Sequence, residues 1–201
     1  MKLKALAALC KREGAFYLYD NVDADGVIHN QWLGAGGAIY PLAGLPRIEK
    51  ENLIAMFDIT EKQREKIHFQ HSYLPVHINF EDVDPEETML DRTYITLGYG
   101  GRVIKPLFTR GGLELMDLDY LKPLADVADD LELYERHTKG GTYFAAKMGF
   151  MLVGVIMPLN IIEESFVENI ERLARKCRAA LELKAEQEKK AIIDTEVKEN
   201  A

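Results

Sequence analysis

One short pattern occurs twice in this chain. Leu18-Tyr19-Asp20 aligns with Leu133-Tyr134-Glu135, and at the same offset Leu6, Leu9, Gly26 and Gly34 fall on Leu121, Leu124, Gly141 and Gly149. The offset then grows by two. Ile39-Tyr40-Pro41-Leu42 meets Ile156-Met157-Pro158-Leu159, and Glu51-Asn52-Leu53 meets Glu168-Asn169-Ile170. A repeat constrains architecture more than any single residue does, because a small unit buries its apolar face only against a neighbour.

The local patterns give both copies the same elements. Leu3, Leu6, Ala7, Leu9 and Cys10 form a helical stripe over residues 2–13, and Gly14 stops it. Strands are expected at 15–20, 27–33 and 38–42, with the turn Asn21 to Gly26 between the first two, and a short helix at 49–57. The second copy has a helix over 120–129 capped by Asp119, with Pro123 near its first turn. Its strands fall at 131–136, 142–148 and 151–157, and a long helix begins near Glu163. The expected fold is α+β, with two pseudo-repeated helix/three-strand/helix units on antiparallel sheet. The units are residues 1–59 and 112–184.

Residues 60–111 between them form an irregular β-rich segment. Strands are expected at 66–71 and 76–80, followed by an acidic, solvated loop from Glu81 to Asp91. A hairpin (93–99 and 102–108) turns at Gly100-Gly101, and one further strand spans 112–117. Residues 185–201 read as a charged, disordered tail.

Size and charge bound the function. The 201 residues are 47% hydrophobic, enough for a core, and the net charge of −8 argues against a surface that is basic throughout. No apolar run reaches membrane-spanning length. The stretch Ala5 to Cys10 is too short for a signal peptide, and Leu9 is too large before its cysteine. With only Cys10 and Cys177, no disulfide framework is expected, and the cytoplasm is the expected compartment.

Each candidate for chemistry has a structural counterpart. Asn21, Asp23, Asp25 and Gly26 match the opening of a calcium loop, but Trp32 stands where the bidentate Glu belongs, so a hairpin turn is expected. His68 and His71 point to opposite faces of a strand and cannot both bind one metal, although His77 could approach either. Gly98 to Arg102 precedes a strand rather than a helix and reads as a turn, not a phosphate loop. Asp84, Glu86, Glu87 and Asp91 could supply paired carboxylates, but a charged Pro-containing loop is usually solvated. No catalytic residue, cofactor or metal ligand is assigned.

The basic clusters carry more. Lys4, Lys11 and Arg12, with Lys2, decorate the first helix. Arg172, Arg175 and Arg178, with Lys176, decorate the last one, outside its apolar stripe of Phe166, Ile170, Leu173, Cys177 and Ala180. A basic helix face can follow a phosphate backbone. The same pattern is also that of a solvated face, moderated by Glu168, Glu171 and Glu182.

The duplicated order of helix and strands, with Gly112 to Ala125 leading into Thr142 to Leu152, resembles the lobe of DNA sliding clamps. The acidic residue common at that family's turn is Met148 here. Clamps of this family place four or six lobes in a ring of two or three chains, so the resemblance implies several copies of this one. The chain also resembles proteins carried by prophages of Gram-positive bacteria. The resulting expectation is a non-enzymatic, clamp-like accessory that contacts DNA through Lys4, Lys11, Arg12, Arg172, Arg175 and Arg178. The alternative is a protein-interaction or structural role without DNA, with a homodimer formed through Phe166, Ile170 and Leu173. A metal-dependent enzyme using the histidine region or the acidic loop is a third reading.

Overall fold

The computed structural model describes residues 1–91 and 93–199, with side chains as far as Lys190. The chain forms two compact units, Met1–Leu159 and Asn160–Ala201.

In the first unit, helix α1 (Leu3–Glu13) ends at Gly14, whose φ of 67° lets its N–H return to the Cys10 carbonyl. Strands β1 (Ala15–Val22), β2 (Ile28–Ala35) and β3 (Ala38–Pro41) follow as an antiparallel meander. Two short helices, α2 (Lys50–Met56) and α3 (Glu61–Arg64), each carry a capping box, Glu49 with Asn52 and Thr60 with Gln63. They return the chain to β4 (His68–Tyr73), which lies parallel to β1. The sheet is therefore mixed, not wholly antiparallel as expected, because this helical crossover sets β4 down in the direction of β1.

The middle segment then crosses the sheet. Leu74, Ile78 and Phe80 pack with Trp32, Ile39, Tyr143 and Val155, and β5 (Thr88–Met89) pairs with the opposite edge. Residues 76–80 are not the expected strand. They cover the sheet face instead, with the Phe80 ring 5.0 Å from that of Trp32. A separate antiparallel sheet contains β6 (Leu97–Tyr99), β7 (Arg102–Thr109) and β8 (Gly112–Asp117). Of the expected 93–99 strand only the last three residues pair, around the turn at Gly100 and Gly101.

A 3-10 helix, Leu118–Asp130, follows in place of the expected α-helix. Pro123 lies inside it, lacks an N–H and cannot support a regular α-ladder. Its cap is Asp117, two residues before the expected one, whose carboxylate accepts from the Asp119 N–H. Strands β9 (Leu131–Thr138), β10 (Gly141–Met148) and β11 (Met151–Ile156) complete an eight-stranded sheet of order β4-β1-β2-β3-β11-β10-β9-β5.

The core has two layers. Leu6 and Cys10 of α1, with Tyr120 and Leu124 of the 3-10 helix, meet Leu18, Leu33, Tyr40, Phe144 and Ile156 on one face of the sheet. Each such fully buried Leu or Phe contributes about 1.5–3 kcal/mol. The Tyr40 hydroxyl donates to the Tyr120 carbonyl at 2.5 Å, and the Lys2 N–H donates to the Pro123 carbonyl at 2.8 Å.

Register qualifies the aligned repeat. Leu18 and Leu133 both face the helices, and Tyr19 and Tyr134 both face the crossing segment. Where β3 meets β11, Ile39 pairs with Val155 and Ala38 with Ile156. Ile39 and Ile156 consequently lie on opposite faces, since one residue of slip inverts a strand.

The second unit contains α4 (Glu164–Glu199). The expected disordered tail is helical as far as Glu199, because Ala, Glu, Lys and Gln favour helix and no Gly or Pro interrupts them. Residues 200 and 201 of that tail lie outside the described residues. Among the described residues, no helix is long and apolar enough to cross a membrane.

Candidate nucleic-acid interface

Arg12 of α1 is engaged by acids of its own unit. Asp117 is fully buried at the end of β8, and two guanidinium groups converge on it. Arg12 reaches it at 2.9 Å and Arg102 at 2.6 Å. Both arginines also pair with Glu13, and Arg12 pairs with Asp119. The hydrogen bond to Asp117 raises Arg102 far above its ordinary pKa. Burial opposes protonation of Arg12, but Glu13, Asp117 and Asp119 outweigh it and raise its pKa too. The hydrogen bond from Lys122 holds Asp119 below the usual carboxylate range. A buried carboxylate shared by two guanidiniums is a structural clasp between α1, β7 and β8.

This changes the weight of the expected α1 contacts. Arg12 is committed to three carboxylates, Lys11 donates to the Asp58 carbonyl at 3.4 Å, and Lys2 pairs with Asp126 at 3.3 Å. Lys4 is exposed and, among the described residues, has no ion pair.

The α4 cluster differs. Arg172, Arg175, Lys176 and Arg178 are exposed. Arg172 donates to the Asn169 side chain at 2.6 Å, and among the described residues none of the four has an ion pair. Of the expected interface residues, Phe166 is buried, Ile170 is half-buried and Leu173 is exposed.

The other candidates hold structure together. Asp23 accepts from the N–H groups of Asp25 and Val27 at 2.9 Å, an Asx turn closing the β1–β2 hairpin. His71 pairs with Asp20 at 3.0 Å, the His68 ring lies 6.0 Å from that of Tyr17, and His77 sits in a turn. Burial works to raise the Asp20 pKa, and hydrogen bonds from Gln31 and His71 overcome it to lower the net value. Among the described residues, no group of three or more His, Cys, Asp or Glu side chains is placed to hold a metal.

The acidic loop is solvated at Glu81, Asp82, Glu86 and Asp91, as expected, but not at Glu87. Glu87 pairs with Arg136 and Lys147, each at 2.6 Å, and both partners are buried. Lys147 also lies over the Tyr134 ring at 4.7 Å. Asp82 accepts the Leu152 N–H, and Asp84 accepts from the Glu86 N–H and the Asn79 amide. Sequence reasoning missed this lock and the Arg102 clasp. A signal was present in Lys147, a cation within the apolar strand Thr142 to Met148, whose pairing requires an acid from elsewhere.

Comparison with protein-family models, curated proteins and solved structures finds no match.

Proposed function

We propose that this protein is a non-enzymatic, clamp-like accessory that associates with DNA, its main sheet built from two pseudo-repeated units. The strand order supports the duplication, because β1-β2-β3 abuts β11-β10-β9. A helix precedes each meander, and both helices pack into the same core layer. The Ile39/Ile156 register speaks against a strict residue-by-residue repeat, so the proposal concerns arrangement, not sequence equivalence.

The observation that carries the DNA reading is the exposed cluster on α4. Its cations project from a regular helix and, among the described residues, have no ion pair, which suits phosphate contacts. In the α1 cluster Arg12 lacks that freedom. The DNA contacts of this reading are therefore Arg172, Arg175 and Arg178, with Lys4 secondary and Arg12 structural. Binding of duplex DNA across a salt series tests it. Reversing charge at 172, 175 and 178 is expected to abolish binding at moderate salt. An unchanged affinity and salt slope would sink the reading.

A protein-interaction role without DNA is favoured by the exposure of Leu173, Leu181 and Leu183 on the same helix. In that case the triple reversal leaves DNA binding at its starting level, and partner assembly changes instead.

A further inference from the structure

Helix α4 leaves an apolar stripe largely uncovered, with only its Ile170 half-buried. Residues 171 to 190 are all exposed, including Leu173 and Leu181, and Val167 is exposed just before them. Val167, Ile170, Ala174, Cys177 and Leu181 recur at alternating steps of three and four, the spacing of a two-helix seam. The charges fall in blocks. Glu163, Glu164, Glu168 and Glu171 are followed by Arg172, Arg175, Lys176 and Arg178.

We infer that this stripe is covered by α4 of a second copy of the chain, running antiparallel and centred on Arg172. Charge decides the direction. A parallel pair in register sets the basic block on the basic block and the acidic on the acidic. An antiparallel pair sets each acidic block along the basic block of the other copy. Seam and charge blocks together set the centre. Val167 then faces Cys177 of the second copy and Ile170 faces its Ala174, and two-fold symmetry repeats both contacts. Small Ala174 lets the helices approach closely.

Arg172 stands two positions from both Ile170 and Ala174, on the far side of the helix from the seam. Pairing therefore leaves it open to phosphate, as the proposed DNA role needs. The dimer itself does not depend on that role.

The test uses the full chain without DNA. Light scattering over a concentration series is expected to show mass rising towards twice that of the chain, with the dimer weakened by added salt. Ala174→Glu places a charge in the seam at an exposed helical site. It should raise the dimer dissociation constant at least tenfold while helix content and melting temperature stay unchanged. On mild oxidation, the native chain should form no Cys177–Cys177 disulfide, whereas Val167→Cys should give a covalent dimer linked from 167 to 177. A single-chain mass at every concentration, a dimer indifferent to Ala174→Glu, or a ready Cys177–Cys177 bond would each overturn the inference.

Discussion

Glu87 and Arg136 form a 2.6 Å ion pair beneath the loop that crosses the sheet, with the guanidinium fully withdrawn from solvent. The same Arg136 donates to the carbonyls of Asn79 and Glu81, so one side chain fixes both the acid and the backbone around it. Replacing Glu87 with Ala strands two buried cations. The expected loss is about 3–5 kcal/mol, the usual cost of breaking a buried pair from one side. Urea unfolding measures it, and a loss below about 1 kcal/mol would show that the loop does not depend on this pair.

Arg12 offers a contrast between clasp and contact. Arg12→Gln is expected to cost about 1–3 kcal/mol, because it removes one of the two guanidiniums on buried Asp117. DNA affinity and its salt slope should be unaffected. A fall in affinity with unaltered stability would return this residue to the binding surface.

Asp20 predicts an acid limb to stability. Its folded pKa lies below the ordinary carboxylate value, so its contribution is fully present above about pH 4 and is lost as pH falls through the folded value. Asp20→Asn should be less stable than the native chain at pH 7. Its stability should also change less between about pH 4 and pH 2. Parallel acid limbs in the two proteins would contradict the assignment.

The two thiols should behave differently. Burial, the largest influence on Cys10, pushes it up to about 12, while Cys177 is exposed. A thiol reagent at pH 8, applied at a protein concentration low enough to keep single chains, should label Cys177 within minutes and Cys10 only after unfolding. Equal labelling rates in the native protein would show that α1 opens readily.

Gly154 marks a close approach of β11 to its neighbours. A Cβ there would lie 3.2 Å from Tyr40 Cδ1 and 3.4 Å from Leu124 Cδ1. Gly154→Ala should therefore destabilise by about 1–3 kcal/mol, as overpacking does. A neutral melting temperature would mean that Tyr40 yields at no cost.

Helix α1, the two meanders and the Gly100 turn were legible in the sequence because their signals are local: apolar period, turn glycines and strand propensity. The parallel placement of β4 was not, since no residue in His68–Tyr73 specifies which edge it joins. The acidic loop misled for a related reason. Glu87 looks solvated until Arg136 and Lys147, distant in sequence, are brought beneath it. The candidate interface was half legible. The basic residues of both helices stand out, but the neutralisation of Arg12 depends on Asp117 and Asp119, whose proximity only the fold supplies.

The seam where Ile39 meets Val155 has a kinetic consequence. Each meander can form from nearby residues, whereas this ladder joins segments separated by most of the chain, and loop-closure entropy must be offset before it contributes anything. Refolding should accordingly proceed through separate hairpins, and substitutions along this junction should alter the late, slow step while leaving early compaction unchanged.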